Sequence, residues 1–144
     1  MGDDKVDVLL RVCETNLSRA EKRYSDGEYD SAVFHASLAV ENSANAMILV
    51  FGGDEAKDHR AITGLTAVIR RMKPELLRNE SFSEAIEKGR EIQREVVNAR
   101  YPILKGGKWL APMDYYTKEK SSKIIEMATL IVNRIKDAMA NKPT

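Results

Sequence analysis

The densest run of chemistry-bearing residues is RYPILKGGKW, Arg100 to Trp109. Arg100 offers a planar fork that can hold a phosphate through two hydrogen bonds, and Lys105 and Lys108 add point charges beside two glycines. Tyr101 and Trp109, with Tyr115 and Tyr116 further on, supply rings on which a base could stack. Arg100, Tyr101, Lys105, Lys108 and Trp109 are therefore the candidate anion- or nucleotide-binding residues. The competing readings have Arg100 serving helix C-terminal carbonyls and Trp109 plugging the core or an interface.

Other chemistries are poorly supplied. KGGKW is not a phosphate loop of the strand–GxxxxGK[ST]–helix type, because the first glycine, the hydroxyl residue and the strand are missing. Two histidines and one cysteine are too few for a structural zinc site, and HExxH, GxSxG and GxGxxG are all absent. Glu84, Glu87, Glu91 and Glu95 recur at helical spacing, but Lys88, Arg90 and Arg94 interleave with them, which describes a solvated, ion-paired face. No metal and no cofactor are expected. Cys13 lies on an apolar stripe and reads as a buried thiol.

The elements that must position these residues are helices. YDSAVFHASLAVENSANAMILVF, Tyr29 to Phe51, contains neither Gly nor Pro and is apolar on nearly every face, so it predicts a central helix wrapped by neighbours. Val6, Leu9, Leu10, Cys13, Leu17, Ala20 and Tyr24 form the stripe of a first helix from about Asp4 to Ser25, closed by Asp26-Gly27. Gly52-Gly53 ends the central helix. Asp58 is placed to cap a third helix, with Ile62, Leu65, Ile69 and Met72 inward and Pro74 ending it. Ser81 and Glu84 form a capping box for a fourth, whose face runs from Phe82 to Ala99 and which Pro102 closes. Residues 101–116 carry no strand signal and read as an irregular segment. Thr117 caps a last helix with Ile124, Ala128, Ile131, Ile135 and Ala138 inward. The expectation is a single all-α domain over 1–144, an antiparallel bundle of about five helices, with NKPT at 141–144 fraying.

Polar groups inside the central helix need partners. Glu41, midway along it, calls for a cation, and Arg100 is the candidate. Asn42 and Asn45 would be satisfied most simply against their own copies across a two-fold interface. His59, after Asp58, and His35 read as histidines hydrogen-bonded to the fold.

Composition bounds the rest. Lys plus Arg number 23 and Asp plus Glu 22, so net charge makes no global case for nucleic acid, and only local clustering could. The single cysteine excludes an internal disulfide and fits a reducing compartment. The first residues form no signal peptide, and no apolar run approaches the roughly 20 residues of a membrane span. A cytoplasmic protein without a membrane partner is expected.

Four local patterns, in this order and spacing, resemble the HEPN family (higher-eukaryote and prokaryote nucleotide-binding domain). They are Ala20 to Gly53, with its small residues and mid-helix Glu41; Asp58-His59; NARYP at Asn98 to Pro102, the most specific; and Tyr115-Tyr116-Thr117. The resemblance implies an antiparallel helical bundle, a homodimer, and pairing with a minimal nucleotidyltransferase as partner protein. Many members are metal-independent, RNA-cleaving toxins that use an Arg followed, four to six residues on, by a His. This chain departs from that motif. After Arg100 the corresponding positions are Lys105, Gly106 and Gly107, and upstream of His35 and His59 no Arg stands at the required distance. The resulting expectation is a dimeric module without catalysis that binds a nucleotide or RNA phosphate, or that serves as an antitoxin-like or scaffolding partner of a nucleotidyltransferase. The alternative is a degenerate ribonuclease with His59 or Lys105 in the acid–base role.

Overall fold

The computed structural model describes residues 4–140, so the fraying expected at 141–144 lies outside the described residues. Five long or medium helices make the bundle: α1 (Lys5–Ser25), α2 (Tyr29–Val50), α3 (Ala61–Met72), α4 (Glu80–Gln93) and α7 (Lys118–Ala140). A 3-10 turn (Pro74–Arg78) joins α3 to α4. Between α4 and α7 lie one-turn α5 (Glu95–Asn98), strands β1 (Ile103–Lys105) and β2 (Lys108–Leu110), and one-turn α6 (Pro112–Tyr115).

The central position of α2 follows from its composition. Ala32, Ala36, Ala39, Val40, Ala44, Met47 and Ile48 are all buried, and burying each large side chain contributes about 1.5–3 kcal/mol. The alanines let α1 approach so closely that the Cys13 thiol donates to the Ala39 carbonyl at 3.3 Å. Burial, with Glu14 adding to it, pushes that thiol up to about 12, so it stays protonated. Ile62, Leu65 and Ile69 of α3, Phe82, Ile86 and Ile92 of α4, and Ile131 and Ile135 of α7 close the same core. No helix among the described residues is long and apolar enough to cross a membrane.

Several helix starts differ from the sequence expectation. Asp58 does not cap α3. His59 takes a left-handed backbone, φ 64°, which stops helix from extending back to it. The cap comes from another helix: Ile62 N–H donates to Gln93 Oε1 at 3.2 Å, and Gln93 Nε2 donates to Thr63 Oγ1 at 3.0 Å. Asn79, not Ser81, caps α4, its Oδ1 accepting from Phe82 N–H at 2.9 Å. Met72 is 53% exposed instead of inward, because α3 ends there. Thr117 does cap the last helix, its hydroxyl accepting from Lys120 N–H at 3.2 Å.

The amides of α2 are satisfied within the chain, which removes the reason for placing Asn42 and Asn45 at a two-fold interface. Asn45 Oδ1 accepts from Ala56 N–H at 2.9 Å, pinning the loop after α2. Asn42 Oδ1 accepts from Asn16 Nδ2 at 2.9 Å, and Asn16 Oδ1 faces His35 Nδ1 at 3.1 Å. In that arrangement the imidazole carries its proton on Nδ1 and donates to Asn16. Ser37 and Ser43 hydroxyls turn back to carbonyls of their own helix.

Two outcomes are expected from this packing. A Cβ on Gly89 would stand 2.9 Å from Ile62 Cδ1, so Gly89→Leu should cost about 1–3 kcal/mol by overpacking, against less than about 1 kcal/mol gained in helix propensity. Chemical denaturation checks this, and an unchanged midpoint would show that α3 and α4 can separate freely. The second concerns pH. Desolvation, then Arg19 and Arg23, holds His35 below its ordinary value of 6.5, so the unfolded chain binds the proton more readily. Its contribution is complete above pH 6.5 and is lost as pH falls from there through the folded-state value. The Tm of the wild type should therefore fall more steeply below pH 6.5 than that of His35→Gln, which keeps a donor for Asn16; parallel curves would refute the assignment.

Candidate functional site

The segment expected to be irregular forms a β-hairpin. Ile103 pairs with Leu110, Leu104 with Trp109, and Lys105 with Lys108. Gly106 and Gly107 make the two-residue turn with φ of 58° and 76°, the left-handed values that a type I′ hairpin requires at both positions. The Gly-Gly pair between ILK and KWL is itself a two-residue hairpin signal, and weighing it only as a phosphate loop passes over it.

A small second core ties the hairpin to the bundle. Val33 of α2, Ala99 and Tyr116 are buried together, with Tyr29, Phe34, Ile103, Tyr115 and Ile124 packed around them. Tyr116 is 2% exposed and its hydroxyl donates to Glu95 Oε2. Burial, then that hydrogen bond, holds the phenol well above its ordinary value, so it remains a donor. Tyr116 is thus an anchor and offers no ring for a base to stack on. The edge of its ring meets Tyr115, with centroids 4.9 Å apart.

Three cations of the segment rest on this cluster. Arg100 Cζ is 5.2 Å from the Phe34 centroid and 5.6 Å from that of Tyr101. Lys105 Nζ stands 5.1 Å and Lys120 Nζ 3.9 Å from the centroid of Tyr115. Sequence reasoning passes over Lys120 and Phe34; one turn separates Lys120 from its cap Thr117, which follows the two tyrosines directly. Between 94 and 123 the basic residues are Arg94, Arg100, Lys105, Lys108, Lys118, Lys120 and Lys123, against Glu95, Asp114 and Glu119. That local excess of four charges sits in a chain of net charge +1. Among the described residues none of these seven pairs with a carboxylate, which is equally true of Arg19, Lys57, Arg70, Arg71, Lys73 and Arg78; what sets the segment apart is that Arg100, Lys105 and Lys120 stand on aromatic rings.

Glu41 does not pair with Arg100. Its Oε1 accepts from His59 Nδ1 at 2.9 Å, so His59 supports α2 from the loop before α3. The physical reason is helix spacing. Phe34, which carries Arg100, is seven residues before Glu41 on the same flank of α2, about 10 Å along the axis. Trp109 is also apart from the lysines. It is 70% exposed, which excludes a place in the core, and alternation puts it on the opposite face of the hairpin from Lys105 and Lys108. Among the described residues no group of three or more His, Cys, Asp or Glu side chains is placed to hold a metal.

This architecture recurs in solved structures. The crystal structure of TT1696 from Thermus thermophilus superposes with a TM-score of 0.72 at 18% identity, covering 94% of this chain and 98% of that one. ST0689, an archaeal HEPN homologue, gives 0.69 at 22% identity, covering 95% and 99%. Both likenesses bear on the fold alone. In sequence, the Methanocaldococcus jannaschii protein named "Putative toxin MJ1304" is 26% identical over 135 residues, which span 94% of this chain and 88% of that protein. The model of the HEPN domain matches residues 6–138. The chain belongs to the HEPN domain family.

Proposed function

We propose that this HEPN-family chain is a dimeric, non-catalytic module that binds the phosphate groups of a nucleotide or RNA at Arg100, Lys105, Lys108 and Lys120, working beside a minimal nucleotidyltransferase. The observation that carries the reading is the set of cations held on aromatic rings instead of carboxylates. A ring attracts a cation without neutralising it, so the charge stays available to an anion. Lys105 and Lys108 stand directly opposite each other, an arrangement that like charges disfavour and that a phosphate between them would relieve. Dimerisation is supported by the half-buried flank of α2 at Phe34, Leu38 and Leu49 and by the exposed Val8 and Val12 on α1.

Short RNAs should bind with an affinity that falls as salt rises, because each phosphate contact releases counterions. Lys105→Ala should weaken binding and lower the slope of log affinity against log salt by about 1. Fluorescence anisotropy across a salt series reads both; an affinity and slope equal to wild type would remove the site. Sedimentation tests the dimer.

A second reading, a ribonuclease, is favoured by the relative's name as a toxin and by the His59–Glu41 pair, in which the carboxylate holds Nδ1 and leaves Nε2 free. Its separation of about 10 Å along α2 from the platform of Arg100 weighs against the two acting on one phosphate. Incubation with RNA should give no cleavage that Arg100→Ala or His59→Ala abolishes; cleavage lost in both variants would establish the enzyme instead.

A further inference from the structure

The hairpin has two chemically different faces. Ile103, Lys105, Lys108 and Leu110 share the face turned to the bundle, where Ile103 packs into the small second core and Lys105 stands over Tyr115. Leu104 and Trp109, paired across the strands, share the other. They are 57% and 70% exposed, and among the described residues no hydrogen bond or ring contact engages the indole. An apolar pair this exposed buries little against the bundle and, side by side across the ribbon, offers a contact surface.

We propose that the Leu104–Trp109 face is a stacking platform for an unpaired base, and that the hairpin's ligand is a single nucleic-acid strand of several nucleotides that crosses its edge. This rests on the phosphate reading above and extends it to ligand length and strandedness. Side chains reach about 5 Å to either side of a strand, half the spacing of packed sheets. The indole and the Lys105 ammonium are therefore about 10 Å apart with the backbone between them. The phosphate held on one face and the base stacked on the other then belong to different nucleotides. A duplex keeps its bases stacked on each other and offers the indole none. The cations around the hairpin, which among the described residues have rings but no carboxylates as partners, favour a polyanion as occupant over an apolar protein surface.

Trp109 is the chain's one tryptophan, so its emission reports on this face alone. The full-length chain is titrated with an oligouridine of about ten nucleotides, a duplex of equal length, and UMP. The oligouridine should quench the emission and bind more tightly than the duplex. Trp109→Ala should lose about ten- to hundredfold in oligouridine affinity without changing that for UMP, and Trp109→Phe should recover most of the loss. Lys105→Ala should weaken both ligands. Three results would overturn the platform while leaving the phosphate site standing: binding without quenching, equal affinity for the duplex, or full affinity in Trp109→Ala. Loss of self-association in Trp109→Ala would assign the face to a second copy instead. Absence of binding by all three ligands would remove the phosphate reading and this one together.

Discussion

The bundle is organised by the need to keep α2 out of water. A helix apolar on nearly every face gains from neighbours on every side, and α1, α3, α4 and α7 each bury part of it. The small residues Ala32, Ala36 and Ala39 make the approach of α1 close enough for a thiol to reach a backbone carbonyl. The polar residues on α2 do not contradict that constraint, because each has a local partner. Asn42 meets Asn16, Asn45 meets the backbone of Ala56, and Glu41 meets His59. The last two of those contacts also fix the path of the chain leaving α2 and entering α3, and the first ties α2 to α1.

The hairpin depends on the same helix at one remove. Val33 and Phe34 leave the main core at the start of α2 and seed the second one, where Ala99, Tyr116 and Ile103 collect. The hydrogen bond from Tyr116 to Glu95 then joins the two ends of the segment that contains the hairpin. Once that is set, Arg100 and Lys105 have rings within reach and, among the described residues, no ion pair with a carboxylate. Elsewhere among the described residues the cations stand in ordinary exposed ion pairs, worth little, or without a carboxylate, and those on rings are the ones around the hairpin. A cation on a ring is positioned while keeping its charge, which is the state an anion site needs before its ligand arrives.

How much of this the sequence reveals varies with the range of the forces involved. The helices, the burial of Cys13 and the cap at Thr117 are local consequences of spacing and side-chain type, and they are legible. The cap of α3 is not, because Gln93 supplies it from 31 positions away. Asn42 and Asn45 look like groups in need of a second copy only while Asn16 and the Ala56 backbone are not known to be adjacent. The candidate site is partly legible: Arg100, Lys105 and Lys108 are evident from type and spacing, but Lys120 joins them only through the fold. The division of Trp109 from the lysines follows from strand alternation, which requires first reading Gly106-Gly107 as a turn.

The arrangement also bears on why we propose binding and not catalysis at this site. Acid–base chemistry on a phosphodiester needs a proton carrier within hydrogen-bond reach of the same phosphate that the cation holds. Lys105 and Lys120 share one ring, and Arg100 sits on the neighbouring cluster, but the imidazole of His59 is committed to Glu41 two turns further along α2. The other imidazole, His35, is engaged through Asn16 and is depressed by burial and by Arg19 and Arg23. Lysines and tyrosines complete the inventory around the hairpin, where Lys105 and Lys120 stand on the Tyr115 ring and the Tyr116 hydroxyl donates to Glu95. On the proposed reading, the hairpin therefore grips its ligand through charge and stacking, and any chemistry on that ligand falls to a partner.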